Sequence, residues 1–171
     1  MIERTLVLVK PDGVDRNLIG EVIRRYEAAG LKIVAMKLLK ATAEIAGKQY
    51  IEDEDYLISL GKKSERAGEK VANYLEQGRK IVNWMRNYLT EGPVVAIILQ
   101  GENAVARVRE VNGYTDPKEA KKGTIRGDFG IDDILTANRE QRAVRTIVHA
   151  SGTKEEAEKE IPIWFKESEI Y

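Results

Sequence analysis

The chain has 171 residues, 43% of them hydrophobic and 33% charged, with 28 basic residues matching 28 acidic ones. That is enough chain for one domain with its own core, and the balanced charge provides no global field to recruit nucleic acid or anionic lipid. The absence of cysteine excludes disulfides, thiolate nucleophiles and thiolate metal sites.

Thr5–Val9 is an apolar, β-branched run stopped by Pro11-Asp12-Gly13, which predicts a strand followed by a turn. No charged-then-apolar leader precedes it, so the cytoplasm is the expected location. Ile19, Val22, Ile23 and Tyr26 recur at helical spacing, with Gly30 as the stop. Leu31–Leu39 reads as a second strand, and a more polar helix is expected over Ala43–Tyr50. The fully apolar run from Gly92 to Leu99 predicts a central third strand, and it is far too short to span a bilayer. Asn103 is expected to cap a helix carrying Ala104, Val105, Val108 and Val111, which ends at Gly113. Residues 144–148 form the expected fourth strand. Thr153-Lys-Glu-Glu156 has the capping-box pattern of a last helix, ended by Pro162.

This β-α-β-α, β-α-β-α order predicts an α+β fold: a ferredoxin-like split βαβ with a four-stranded antiparallel sheet covered by helices. A doubly wound parallel sheet competes less well, because the turn after the first strand lacks a glycine-rich phosphate loop. Residues 1–171 read as a single domain with two polar excursions. One is near 57–80, with a helix expected over Glu69–Leu75; the other is near 130–142. Both read mainly as surface loops or helical hairpins without chemistry of their own.

The one histidine of the chain, His149, ends an apolar strand before the turn Ala150-Ser151-Gly152. Imidazole is the only side chain whose ordinary pKa, ~6.5, leaves a neutral nucleophile abundant at neutral pH. Lys10 ends the first strand, where an ammonium can neutralise phosphate. Arg126 and Asp128 lie between glycines in Gly123-Thr-Ile-Arg-Gly-Asp-Phe-Gly130, and Arg109 and Thr115 offer further donors. Singly, each of these reads as structural. Together with His149 they describe a polyphosphate site with an imidazole nucleophile.

These segments, taken in order, resemble the nucleoside diphosphate kinase family. Glu3–Val14, Gly92-Pro-Val-Val-Ala96, Asn103-Ala-Val105, Gly113–Pro117, Gly123–Phe129 and His149-Ala-Ser151 with Ala157–Ile161 follow in that family's register. The resemblance implies that His149 takes the γ-phosphoryl group of a nucleoside triphosphate and passes it to a diphosphate by a ping-pong route, with broad base specificity. It implies phosphate contacts from Lys10, Arg109, Thr115 and Arg126, a hydroxyl near the transferred group from Tyr50, orientation of the imidazole by Glu160, and support from Ser151. Mg2+ is expected as the cofactor, held through nucleotide phosphates and water rather than by protein ligands. The implied partners are nucleoside tri- and diphosphates and further copies of the chain, with a hexamer favoured over a tetramer; neither nucleic acid nor membrane is expected.

Departures from the family pattern fall around the nucleotide. Thr146 stands where the family usually has Asn, and Gly152 replaces an Asp. The family's Arg-Pro-Phe-Phe piece falls on Arg79-Lys-Ile-Val82, so Arg79 is expected at a phosphate and Ile81 at the position of a base-stacking aromatic, with Trp84 as a substitute stacker. A nucleotide-binding module without turnover stays open as the second reading. A nucleic-acid-binding domain of the same fold would need an aromatic sheet face and a basic surface, which the sequence lacks.

Overall fold

The computed structural model describes residues 2–171. Its order is β1 (Ile2–Val9), α1 (Pro11–Asp15), α2 (Ile19–Ala28), β2 (Lys32–Lys40), α3 (Ala43–Gln49), α4 (Glu54–Arg66), α5 (Tyr74–Glu91), β3 (Pro93–Glu102), α6 (Ala104–Asn112), α7 (Ile125–Phe129), α8 (Ile134–Arg139), β4 (Val148–Ala150) and α9 (Lys154–Trp164). The four strands form one sheet in the order β2-β3-β1-β4, with every neighbouring pair antiparallel. The expected split βαβ is therefore present: β1-α2-β2, with β3 inserted between the two strands.

β1 and β3 read as unbroken apolar runs because both their faces are covered. Leu6, Leu8, Val94, Ala96 and Ile98 point to one core with Tyr50, Leu57, Val82, Leu89 and Trp164 of α3–α5 and α9. Val7, Val9, Val95, Ile97 and Leu99 point to the other, under Val22 and Tyr26 of α2, Val108 of α6 and Ile125 of α7. Alternation at period two assigns the faces, and each fully buried aliphatic contributes ~1.5–3 kcal/mol.

The structure corrects several local expectations. Pro11-Asp12-Gly13 opens the one-turn helix α1, with Pro at a first-turn position where no N–H is required. The helix expected over Glu69–Leu75 is absent at Glu69–Asn73, and α5 begins only at Tyr74: Gly68, at φ +102°, follows the end of α4, and Asn73 caps α5 by accepting from the N–H groups of Leu75 and Glu76. Most of the 57–80 excursion is thus the C-terminal part of α4 and the start of α5. The helices approach so closely that a β-carbon on Gly78 would come within 2.1 Å of the Leu57 carbonyl oxygen. The 130–142 excursion contains α8, capped by Asp133. Asn103 gives α6 no side-chain cap. At α9, Thr153 caps by accepting from Glu156, but the Glu156 carboxylate accepts from Gly152 rather than closing the box. Pro162 lies inside α9, near its end, where its missing N–H removes only one helical bond.

β4 also differs: it spans Val148–Ala150 rather than 144–148. The preceding residues leave extended geometry because Ile147 has φ +66°, a left-handed conformation that strains a β-branched side chain. Lys10 N–H donates to the Ile147 carbonyl at 2.8 Å, and Ile147 N–H donates to Asp12 Oδ2 at 3.1 Å. The start of α1 therefore enforces the turn into the strand that carries His149.

Candidate active site

His149 lies in the middle of β4, opposite Leu8 of β1, rather than at a strand end. Its Nε2 sits 3.0 Å from Glu160 Oε1. With the carboxylate as acceptor, Nε2 carries the proton and the lone pair rests on Nδ1. Ser151 Oγ donates to Glu160 Oε2 at 2.5 Å, and Gln49 Nε2 donates to Oε1 at 2.5 Å. Burial pushes the Glu160 carboxyl up, but the charge and hydrogen bond of His149 and the bonds from Ser151 and Gln49 outweigh it, so the group is held below the ordinary glutamate value. Glu160 is therefore a fixed anion behind the imidazole.

Tyr50 ends α3 and presents its ring edge-on to His149, with centroids 6.0 Å apart and an interplanar angle of 84°. Burial raises its pKa well above the usual tyrosine value, with nearby tyrosines and Glu160 adding to the rise. Its hydroxyl thus stays a neutral donor. On the other side, Lys10 is buried and donates from Nζ to Thr146 Oγ1 at 3.0 Å. Burial lowers its pKa to about 8; Asp12 opposes this and Arg126 adds to it. Thr146, the residue in place of the family's Asn, is itself buried and holds this ammonium.

Arg126 reaches in from α7, which Thr124 caps by accepting from Gly127. Its guanidinium donates to the carbonyls of Thr146, Gly113 and Val148 at 3.2, 2.8 and 2.7 Å. It so ties the residues flanking Ile147 and leading to His149 to the segment carrying Thr115. Burial lowers its pKa to about 10, with Tyr26 and Tyr50 opposing and Arg109 adding. Arg109, in the last turn of α6, flanks Gly152 together with Glu156. A β-carbon at Gly152 would lie 2.7 Å from Glu156 Oε2 and 3.2 Å from Arg109 Nη1. Where the family's Asp is missing, the carboxylate of Glu156 fills the adjoining space.

Arg79 and Ile81 lie on α5. Arg79 Nε stands 3.9 Å from Glu52 Oε2 with more than half of its side chain exposed. Ile81 packs against the core beneath α5. Trp84 lines a surface pocket with Tyr88, Arg142 and Arg145.

Four residues of the site escape the sequence reading. Gln49 accepts from Trp164 Nε1 at 2.6 Å, which fixes the amide so that its nitrogen faces Glu160. Asp12 receives both the Ile147 N–H and the Tyr88 hydroxyl, while its own N–H donates to Tyr88 at 2.8 Å. An aspartate in Pro-Asp-Gly reads as a turn residue, and a glutamine or tryptophan on a helix reads as surface or core. The one available signal is that Gln49 adjoins Tyr50.

The arrangement is a half-buried imidazole with one nitrogen held and one free, beside ammonium and guanidinium groups bound to neutral oxygens rather than carboxylates. Such cations are poised for a phosphorylated anion.

Comparisons with known proteins agree. The family model described as nucleoside diphosphate kinase matches residues 3–58 and 49–170. A nucleoside diphosphate kinase of Pyrobaculum aerophilum is 42% identical over 99% of this chain and 98% of its own length. The crystal structure of an NDP kinase from that organism superposes with a TM-score of 0.92, at 41% identity and 99% coverage of both chains. A transition-state mimic of the Borrelia burgdorferi enzyme with bound vanadate and ADP superposes with a TM-score of 0.85, at 34% identity over 99% of this chain and 90% of that one. With a family match along its length and relatives this similar in sequence and fold, the chain belongs to the nucleoside diphosphate kinase family.

Proposed function

We propose that residues 1–171 act as one catalytic domain that transfers the γ-phosphoryl group of a nucleoside triphosphate to a nucleoside diphosphate through a phosphohistidine at His149. The carrying observation is that both polar partners of the His149 ring, Glu160 Oε1 at 3.0 Å and the Gln49 amide nitrogen at 3.1 Å, lie at Nε2, which leaves Nδ1 as the nucleophile. In the first half-reaction Nδ1 attacks the γ-phosphorus, the bond to the β–γ bridging oxygen breaks, and a nucleoside diphosphate leaves. The ring then carries positive charge, which the Glu160 carboxylate stabilises through Nε2–H. In the second half-reaction a terminal β-oxygen of another diphosphate attacks the phosphorus and the N–P bond breaks, restoring His149.

Lys10, Arg109, Thr115 and Arg126 hold the phosphates in this reading, and the Tyr50 hydroxyl donates near the transferred group. Ser151 and Gln49 keep Glu160 in place. Thr146 acts through Lys10. Arg79 of α5 belongs to the outer, base-side part of the site, and Ile81, packed against the core, supports the helix there; weak contacts would give broad base specificity. The donors facing the site are cationic, so a divalent cation, proposed as Mg2+, arrives with the nucleotide and is held by its phosphates and water. When bound it neutralises phosphate charge.

Among the described residues no helix is long and apolar enough to cross a membrane; we place the protein in the cytoplasm. Met36 and Leu38 are exposed on β2, an unpaired edge of the sheet, which favours burial against other copies in a homo-oligomer, with a hexamer preferred to a tetramer. Steady-state rates with ATP and GDP test the reaction. Parallel double-reciprocal lines are expected for two half-reactions sharing one site, and intersecting lines would replace the phosphoenzyme with direct transfer.

A further inference from the structure

We propose that the Gln49 amide, clamped by Trp164, is a positioning group that sets how strongly Glu160 holds the His149 proton, and with it the transfer potential of the phosphohistidine. This rests on the phosphotransfer reading above and deepens it.

Gln49 is the last residue of α3 and is buried. Its side chain spans two residues of α9, Glu160 and Trp164, that stand one turn apart on one face. Its Oε1 accepts from Trp164 Nε1 at 2.6 Å, and its Nε2 donates to Glu160 Oε1 at 2.5 Å. An indole nitrogen only donates, so a turned-over amide would set donor against donor at Trp164, itself buried. The amide nitrogen is therefore held toward the imidazole, 3.1 Å from His149 Nε2. That nitrogen cannot accept the ring proton; Glu160 Oε1, 3.0 Å from Nε2, takes it instead.

Oε1 thus serves two donors, the ring and the amide, while Ser151 occupies Oε2, the oxygen on the other side of the carboxylate. Competition for the oxygen that faces the ring falls to Gln49. Each bond a carboxylate accepts lowers its basicity, and the Ser151 and Gln49 bonds help hold Glu160 below the ordinary glutamate value. In the first half-reaction the Nδ1–P bond forms, the bond from phosphorus to the bridging oxygen breaks, and the ring becomes cationic with its proton still on Nε2. A more basic Glu160 would hold that cationic ring far more tightly than the neutral one. It would stabilise the phosphoenzyme and make the imidazole a poorer leaving group in the second half-reaction. By sharing Oε1, Gln49 limits this, so that transfer onto His149 and transfer off it stay balanced.

The equilibrium between enzyme with ATP and phosphoenzyme with ADP tests the assignment. It is measured with magnesium and γ-labelled ATP at fixed ratios of the two nucleotides, alongside rapid-quench rates in both directions. Gln49→Met keeps the length of the side chain without its bonds. It should shift the equilibrium about tenfold toward phosphoenzyme, chiefly by slowing discharge to ADP. Trp164→Phe leaves the amide free to turn and should shift the equilibrium the same way by less. In the double variant, Trp164→Phe should add nothing to Gln49→Met. A residue that only packs α3 against α9 would slow both directions alike and leave their ratio at the wild-type value. That result in Gln49→Met, or a full effect of Trp164→Phe in the double variant, would overturn the proposal. Should Gln49→Met not fold, a wild-type equilibrium in Trp164→Phe overturns it alone. Wild type that forms no phosphoenzyme from ATP would instead overturn the phosphotransfer reading itself, and this inference with it.

Discussion

Lys10→Met separates the stability of the free protein from its function. The Lys10 ammonium is buried, and the fall of its pKa from 10.5 to about 8 means that folding opposes its charged form by ~3 kcal/mol, at about 1.4 kcal/mol per pH unit. Methionine fills similar space without charge. It also forfeits the bond from Nζ to Thr146 Oγ1, worth ~1 kcal/mol, so a net gain of ~2 kcal/mol is expected at pH 7. For a chain of this length that raises Tm by about 4–8 °C in the absence of nucleotide. The sign follows from linkage: a lysine with a depressed pKa binds fewer protons folded than unfolded, so its contribution is fully present above 10.5 and is lost as the pH falls through about 8. Wild type should therefore gain on the variant between those values, and the difference in Tm should shrink toward pH 10. In the same variant, phosphoenzyme formation from ATP should slow about a hundredfold or more. Thermal melts by circular dichroism at pH 7 and pH 10, paired with single-turnover labelling, measure both effects. A Lys10→Met protein that melts at or below wild type at pH 7 would refute the assignment of a buried, uncompensated cation awaiting phosphate.

Two further changes probe the scaffold. Glu160→Gln keeps the shape but removes the charge facing His149 Nε2 and sets an amide against donors from Gln49 or Ser151; losing one charge-assisted bond of ~1.5–3 kcal/mol should slow His149 phosphorylation about 10- to 100-fold in a rapid-quench experiment, and a rate within twofold of wild type would remove Glu160 from the mechanism. Gly78→Ala forces a β-carbon against the Leu57 carbonyl and should cost at least ~1–3 kcal/mol in urea denaturation, so an unchanged midpoint would mean that α4 and α5 are not packed as described.

The parts of the fold legible in the sequence are those where one physical signal dominates. β1 and β3 are apolar on both faces because two cores need them so, and α2 shows its buried stripe plainly. The arm of α4 and α5 was hidden because its close packing depends on Gly61 and Gly78, which read locally as breakers, while Asp53 and Asn73 cap by local bonds that a polar stretch obscures. β4 was misplaced because Ile147 adopts its left-handed conformation only when Asp12, over a hundred residues earlier, holds its N–H. For the site, motifs in register located His149, Lys10, Arg126 and Glu160 together. Gln49, Trp164 and Tyr88 stayed unseen, since they act through neighbours rather than through a motif, and Arg79 and Ile81 rest only on counting back from Gly92 to a motif that this chain has altered.

Incubation with γ-labelled ATP and magnesium, followed by mapping of the label in wild type and His149→Ala, tests the central claim most directly. One acid-labile, alkali-stable phosphoryl group per chain is expected on His149 at Nδ1, absent from the variant and discharged by GDP. Label on another residue, label retained by His149→Ala, or ADP formation with no labelled protein would contradict the phosphohistidine route.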